Sequence, residues 1–237
     1  LTDIITLSLH TGAVHVLQQL GGGPLNEQGR VRWHDYLVNH YRFTKKTGIE
    51  QGYEAEGYVP DPKDGFGLNL EYANTTFGQG MNVTHLQMAS AFSAVINGGT
   101  YYQPHLVAQV GDNKSTIDDR VKVLAKDVVK PETSAQLRSV MELAVNKSYT
   151  ALKRDGYIVG GKTGTAQIAK PGGGYYDDDK INGTFIGYVG ITKPDYVIMV
   201  RVNEPIVPGY AGSKAAAPLF NTISNIVMDN RLLSQTN

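Results

Sequence analysis

The order of predicted elements over residues 157–229 constrains the fold of this chain more than any other feature. Three strand-like segments, 157–168, 183–191 and 195–203, are followed by a helical pattern over about residues 213–229. Two of the connections read as hairpins, and hairpins join antiparallel strands. Because the strands come in a run and do not alternate with helices, the sequence predicts an α+β fold in which helices flank an antiparallel β-sheet.

Helical patterns account for much of the sequence before this region. Residues 84–97 start at a capping box, T-x-x-Q, formed by Thr84 and Gln87. Residues 131–147 begin with a proline, which is favourable in the first turn of a helix. The remaining predictions are two helices within residues 1–20 joined by a loop at 8–12, a helix over 33–43, an irregular stretch over 44–82 and a strand over 101–110.

The composition is that of a chain that folds around an apolar core. Apolar residues make up 41% and charged residues 19%, which excludes wholesale disorder. Lys and Arg total 22, as do Asp and Glu, so the net charge of zero gives no support for nucleic-acid binding. No stretch approaches the roughly 18 apolar residues of a membrane-spanning helix. The first residues, LTDIITLSLHTG, lack the basic start of a signal peptide.

Residue types exclude several chemistries. The chain has no Cys, which excludes disulfides, Cys-zinc sites and thiol catalysis. None of its six His belongs to H-E-x-x-H or a similar ligand spacing, so we assign no metal and expect no cofactor.

The densest chemical signal is the segment GGKTGTAQ at residues 160–167, which has two interpretations. Gly156, Gly161, Lys162 and Thr163 satisfy G-x-x-x-x-G-K-[ST], the pattern of a nucleotide-binding P-loop. Such a loop needs a strand before it and a helix after it, so that helix N–H groups bind the phosphates. The residues around Lys162 look strand-like instead, and no helical pattern follows Thr163.

The second interpretation is a K-T-G element on a sheet strand, as in the penicillin-recognising serine acyltransferases. The lysine supplies positive charge, the threonines supply hydroxyls, and a substrate peptide can lie beside the strand as an added strand. The same letters also suit an ordinary strand entered through a glycine turn, so the segment alone leaves the choice open.

Further motifs decide in favour of K-T-G. They are FGQGMNVTHLQMA at 77–89, NGGTYYQP at 97–104, TFIGY at 184–188, NEP at 203–205, and GYAG to APLF over 209–220. On these residues the chain resembles the C-terminal part of a class B penicillin-binding protein, a D,D-transpeptidase of peptidoglycan synthesis. The resemblance implies the penicillin-binding and serine β-lactamase-like transpeptidase fold. The Glu-Pro at the end of the last strand favours the cell-division branch over the elongation branch.

The family's second motif, S-x-N-x-G, matches the segment from Ser8 to Gly12, with His10 in the place of Asn. The resemblance implies that Ser8 relays a proton to the leaving group and that His10 contacts the substrate amide. A neutral histidine offers one donor and one acceptor, as an asparagine amide can, but with a different reach and a titratable charge. The alternative is that Ser8 and His10 are helix residues without a role.

The resemblance also implies roles for the third motif. Lys162 supports the proton relay and attracts the substrate carboxylate. The hydroxyls of Thr163 and Thr165 hydrogen-bond that carboxylate, and Gly164 lies between them in the substrate-binding strand. The backbone N–H of Thr165 forms half of the oxyanion hole, an interaction worth on the order of 3 kcal/mol.

The family's nucleophile is the serine of S-x-x-K, and no serine of this chain has a lysine three residues later. We therefore expect residues 1–237 to be the C-terminal portion of one transpeptidase domain, with the nucleophile, pedestal domain and membrane anchor upstream. The resemblance places the intact protein on the extracytoplasmic face of the bacterial cytoplasmic membrane. Its implied partners are D-Ala-D-Ala stem peptides, β-lactams, a membrane glycosyltransferase and division or elongation proteins.

His10 leaves a non-catalytic alternative open. A second motif without its asparagine also suits a scaffold or a β-lactam sensor that resembles a penicillin-binding protein. An S-x-x-K upstream of Leu1 would favour the enzyme, and its absence the scaffold.

Overall fold

A computed structural model describes residues 1–50, 52–65, 67–107, 121–176, 180–207 and 209–230. The chain divides into two units. The sheet unit comprises Leu1–Ala13, Phe77–Gln79 and Leu137–Asn237, and the helical unit comprises Val14–Thr76 and Gly80–Gln136. Among the helices of the described ranges, none combines the length and the apolar character that a membrane crossing requires.

The described elements follow one another along the chain as seven α-helices and five strands, with short 3-10 and π-helical turns. They are α1 (Thr2–Thr6), α2 (His10–Leu20), α3 (Glu27–Asp35) with a π-helical turn (Tyr36–His40), α4 (Leu68–Thr75), α5 (His85–Ile96), β1 (Tyr101–Tyr102), β2 (Val123–Ala125), α6 (Pro131–Ser148), a 3-10 turn (Thr150–Leu152), β3 (Ile158–Gln167), β4 (Ile181–Gly190), β5 (Pro194–Asn203), a π-helical turn (Gly212–Ala216) and α7 (Ala217–Asp229).

The sheet unit is built on three antiparallel strands in the order β3-β4-β5. Strand β3 pairs with β4 from Ile158 opposite Gly190 to Gln167 opposite Ile181. Alternate residues face opposite sides of a strand, and one side of this sheet forms an apolar core with α7 and the end of α6. The buried residues of this core are Val145, Leu152, Val159, Phe185, Val189, Ile198, Val200, Ala216, Ala217, Phe220 and Met228.

A glycine in β4 allows α7 to pack closely on the sheet. A β-carbon at Gly187 would lie 2.6 Å from the backbone oxygen of Gly160 and 2.9 Å from the ring of Phe220. Both distances are shorter than normal van der Waals contact, and one of the atoms belongs to the backbone. Only glycine therefore fits between β3 and the Phe220 side chain.

The helical unit has its own core, in which helix α5 packs against β1 and the irregular segments around it. Its buried residues are Leu37, Phe43, Val59, Ala91, Ala94, Tyr101 and Val128. Gln87 is fully buried, and its side-chain nitrogen donates to the backbone oxygens of Lys45 and Glu56. This helix residue thus satisfies the carbonyls of a stretch that has no regular partner.

The α+β prediction is confirmed, as are the three long strands and the helices at 84–97, 131–147 and 213–229, each within a few residues. Helix α5 carries the predicted capping box, with both hydrogen bonds between Thr84 and Gln87 present. These elements were predictable because their apolar periodicity agrees with the residues that mark where they begin and end.

Several element predictions were wrong. Helix α2 begins at His10, so only residues 8 and 9 of the predicted 8–12 loop lie outside a helix. Helix α3 begins before the predicted 33–43 helix because the Asn26 side chain accepts from the N–H of Gly29 and caps it. Helix α4 lies inside the stretch expected to be irregular, and its letters, LNLEYANT, lack an apolar repeat.

The predicted strand at 101–110 is confirmed only at Tyr101 and Tyr102, which pair with the unpredicted strand β2. Pro104 follows, and proline has no N–H to donate to a strand partner. Residues 108–110 lie outside the described residues.

Candidate active site

The K-T-G residues lie inside β3, and the strand continues past Thr163 as far as Gln167. A nucleotide-binding P-loop would have a helix beginning directly after Thr163. Since the chain is in a strand there, the nucleotide-binding interpretation is wrong.

Lys162 and Ser8 meet, although 154 positions separate them in the sequence. The ammonium nitrogen of Lys162 donates to the hydroxyl oxygen of Ser8 at 2.9 Å. The same nitrogen donates to the backbone oxygen of Thr163 at 3.0 Å, which holds the amine close to the strand. The second and third motifs of the sequence are thus brought together at one place in the sheet unit.

The turn that presents Ser8 is tight and strained. Ser8 lies between α1 and α2 with a φ of 55°, a left-handed conformation that costs a non-glycine residue on the order of 1 kcal/mol or more. Helices α1 and α2 approach each other closely at Gly12, where a β-carbon would lie 2.6 Å from Cγ1 of Ile4. Strain of this kind is common where a side chain is held for a function.

Burial changes the proton affinity of Lys162. Desolvation lowers the pKa of its ammonium group below the usual value for lysine, because burial disfavours the charged form. A lysine of lowered pKa, hydrogen-bonded to a hydroxyl, can pass a proton more readily than a solvated lysine.

The hydroxyls of Thr163 and Thr165 each have a partner within the sheet unit. The hydroxyl oxygens of Thr163 and Tyr149 are 3.0 Å apart. The Thr165 hydroxyl accepts from the backbone N–H of Gly212, also at 3.0 Å. Thr165 is exposed and Thr163 is half-buried.

Gly164 lies between these two threonines, on the same side of β3 as Lys162. A β-carbon at Gly164 would collide with the hydroxyl oxygen of Thr184 on β4. The glycine therefore allows close side-chain approach from the neighbouring strand, and this is a structural reason for the residue.

His10 is the first residue of α2 and is exposed. Its ring stacks on Phe77, with ring centroids 4.5 Å apart and planes inclined by 2°. The stack fixes the plane of the imidazole and leaves its nitrogens at the ring edge. His10 can therefore offer a hydrogen bond in a defined direction, as the asparagine of the motif would.

The arrangement combines an amine, a strand and several hydroxyl groups, a set suited to binding an anion and transferring a proton. Among the described ranges there is no group of three or more His, Asp or Glu placed to hold a metal ion.

Comparison with known proteins assigns the family. A model of the penicillin binding protein transpeptidase domain matches residues 1–225. The chain belongs to this family. The resemblance to class B penicillin-binding proteins is confirmed as well, because the similar proteins include several of that class.

Transpeptidase-domain relatives are similar over almost the whole chain. Stage V sporulation protein D of Bacillus subtilis is 33% identical over 96% of the chain. A peptidoglycan D,D-transpeptidase FtsI homolog of Mesostigma viride is 27% identical over 94%. Penicillin binding protein 3 of Mycobacterium tuberculosis, solved with aztreonam, superposes on the whole chain with a TM-score of 0.81 and 27% identity.

The chain spans only part of these transpeptidase-domain proteins. It covers 33% and 38% of the two curated relatives and 52% of the solved chain.

Two residues of the candidate site had no role in the sequence analysis. Phe77 stood at the start of a family segment, but nothing in the letters indicated that its ring supports His10. Tyr149 precedes the K-T-G strand and belongs to no motif, so no sequence signal pointed to it.

Proposed function

We propose that this chain supplies the second and third motifs of a peptidoglycan D,D-transpeptidase. The observation that supports this most is the hydrogen bond from Lys162 to Ser8, which joins the two motifs. The nucleophile would be the serine of an S-x-x-K segment N-terminal to Leu1, and residues 1–237 would be the C-terminal portion of one domain.

In this proposal the reaction is an acyl transfer in two steps. The serine hydroxyl attacks the carbonyl carbon between the two D-alanines of a stem peptide and forms an ester. The peptide bond breaks, and the terminal D-alanine leaves as an amine after it receives a proton. An amine of a neighbouring stem peptide then attacks the ester, which forms the cross-link and releases the serine.

The residues of this chain would bind the substrate and move the proton. Ser8, held by Lys162, passes the proton to the leaving nitrogen. The positive charge of Lys162 attracts the substrate carboxylate. Thr163 and Thr165 donate hydrogen bonds to that carboxylate, and the N–H of Thr165 donates to the oxyanion. His10 contacts the substrate amide, and Gly164 lies in the strand beside the peptide.

β-Lactams would acylate the same serine, because they resemble the D-Ala-D-Ala unit. The whole protein would work at the extracytoplasmic face of the cytoplasmic membrane, held by an anchor outside residues 1–237. We propose a membrane glycosyltransferase and cell-division proteins as its partners, with a division role favoured over elongation by the Glu-Pro at residues 204 and 205.

Labelling with a fluorescent penicillin tests the proposal. The reagent is applied to this chain and, side by side, to the longer protein that includes the upstream segment. We expect the longer protein to be labelled and this chain to remain unlabelled. Labelling of this chain would place the acylated residue within it, and labelling of neither would support the non-catalytic alternative suggested by His10.

A matched pair of lysine variants of the longer protein makes the test specific to the site. Lys162→Gln removes the charge beside Ser8, and we expect it to lower the labelling rate by at least about a hundredfold, as loss of a transition-state contact does. Lys193→Gln removes the charge of an exposed lysine at the β4–β5 turn, and its labelling rate should match that of the wild type.

A further inference from the structure

Tyr149 lies directly behind the K-T-G strand, and its side chain is fixed on three sides. It is half-buried and packs against the apolar core of the sheet unit. Its ring meets that of Phe185 edge to face, with centroids 5.8 Å apart. Its hydroxyl oxygen is 3.0 Å from that of Thr163. The phenol is therefore held in place, and its polar end meets the hydroxyl of the third motif.

Thr165 shows how a hydrogen-bond donor can orient the proton of a neighbouring hydroxyl toward a ligand. Its oxygen accepts from the N–H of Gly212, and a backbone N–H can only donate. The proton of the Thr165 hydroxyl is then left to point elsewhere. An oxygen that already accepts one hydrogen bond is also a stronger donor, because hydrogen bonds in a chain polarise one another.

Tyr149 can orient the Thr163 hydroxyl in the same way, by donating a hydrogen bond to its oxygen. A phenol is a stronger hydrogen-bond donor than an aliphatic alcohol, so the favourable direction is from Tyr149 to Thr163. With that direction, the Thr163 proton points away from the core. Both threonines would then be oriented alike, one by a backbone N–H and the other by a phenol.

We propose that Tyr149 is a positioning residue for substrate binding: its hydroxyl donates to Thr163 and orients the Thr163 hydroxyl as a donor to the substrate carboxylate. The inference rests on the proposed function, since it needs a carboxylate bound at this strand. Tyr149 itself does not touch the substrate.

The test compares two ligands in the longer protein. One is a penicillin with its free carboxylate, and the other is the same penicillin with the carboxylate converted to a carboxamide. Tyr149→Phe keeps the ring contact with Phe185 and removes the hydroxyl. We expect it to lower the second-order acylation rate for the acid about threefold to tenfold, the range of one hydrogen bond, and to leave the rate for the amide unchanged. An equal loss for both ligands would mean a structural role and overturn the proposal.

Combining the substitution with Thr163 variants shows whether Tyr149 acts through that residue. In a Thr163→Val background, Tyr149→Phe should have no further effect, whereas in a Thr163→Ser background its effect should persist. A matched control is Tyr157→Phe, because Tyr157 packs against the same core but its hydroxyl donates to the backbone oxygen of Met228. A rate increase in Tyr149→Phe would mean that the phenol blocks Thr163, contrary to the proposal.

A measurement on this chain separates failure of the inference from failure of the proposed function. N-acetyl-D-alanyl-D-alanine and its carboxamide are titrated into the chain while the amide NMR signals of Thr163 and Thr165 are followed. We expect shifts that require the carboxylate and that weaken in Tyr149→Phe. If the longer protein is not acylated but these shifts appear, the proposed enzyme function fails and the Tyr149 inference stands. If the wild-type chain shows no carboxylate-dependent shifts, the inference is overturned.

Discussion

Burial of the Lys162 amine serves the candidate function but lowers the stability of the fold. Its amine is partly removed from water, which lowers its pKa, and its hydrogen bonds to Ser8 and Thr163 do not reverse that shift. A charge with a lowered pKa makes the folded state less stable than it would be with an apolar side chain of similar shape. Residues kept at such a cost are typical of active sites.

Lys162→Met should therefore stabilise this chain while it removes the candidate function. We expect an increase of about 1 kcal/mol in the free energy of unfolding at pH 7, or roughly 2–4 °C in melting temperature. Calorimetry or urea unfolding measures it. The matched substitution Lys193→Met removes an exposed charge and should change stability by less than about 0.5 kcal/mol. A less stable Lys162→Met would show that the hydrogen bonds outweigh the burial.

The stability difference at Lys162 should also depend on pH, and the sign follows from the lowered pKa. Above the folded-state pKa and below the unfolded value of about 10.4, the unfolded chain binds more protons at this site, so stability rises with pH. The wild type should thus approach Lys162→Met in stability as the pH rises from 7 toward the unfolded-state value. Unfolding of both proteins, measured at pH 7 and again near pH 10, gives the difference. A difference in unfolding free energy that does not change with pH would contradict the argument that burial lowers the pKa of Lys162.

At the scale of elements, close contact between β4, β3 and α7 makes Gly187 important for the stability of the sheet unit. Gly187→Ala places a methyl group against the Gly160 backbone and the Phe220 ring, and overpacking of this kind costs about 1–3 kcal/mol. We expect the melting temperature to fall by roughly 3 °C or more. Gly23→Ala is the control, because nothing lies within 4 Å of its added carbon. Equal melting temperatures for the two variants would show that α7 can move aside at little cost.

The start of α5 depends on its capping box. Thr84→Ala removes the side chain that accepts from the N–H of Gln87, and loss of such a cap costs about 1 kcal/mol. Urea unfolding of this chain should show that loss. Thr222→Ala in α7 is a suitable comparison, because Thr222 is exposed within a helix and alanine favours helices. If both variants unfold at the wild-type urea concentration, the cap contributes nothing measurable.

Elements that depend on local sequence could be predicted, whereas those that depend on contacts with distant segments could not. Helix α5 was predictable because its cap and apolar repeat are local and agree. Helix α4 was not, because it is held by burial of Tyr72 and Thr75 against distant segments and carries no apolar repeat. In the site, Lys162 and Ser8 were predictable from motifs. The position of Tyr149 was not, because its contact with Thr163 on β3 is made by the fold and is not marked by any motif or spacing in the sequence.

At the scale of the whole molecule, charge balance sets the solution behaviour. The chain carries 22 basic and 22 acidic residues, so its net charge is zero at pH 7, and uncharged proteins repel one another least. Light scattering of concentrated protein at low salt should be strongest near pH 7. It should fall at pH 5.5, where the net charge is no longer zero. Scattering that rises steadily from pH 5.5 to pH 9 would show that patches, not net charge, control association.

The long span between Ser8 and Lys162 has a consequence for when the site appears during folding. Bringing together two points 154 residues apart costs roughly 4 kcal/mol of chain entropy, and contacts of such range form slowly. A ribosome that has made the segment containing Ser8 must still make β3 before the amine exists. During synthesis, therefore, Ser8 has no lysine partner until the K-T-G strand has emerged, and the pair cannot form before then.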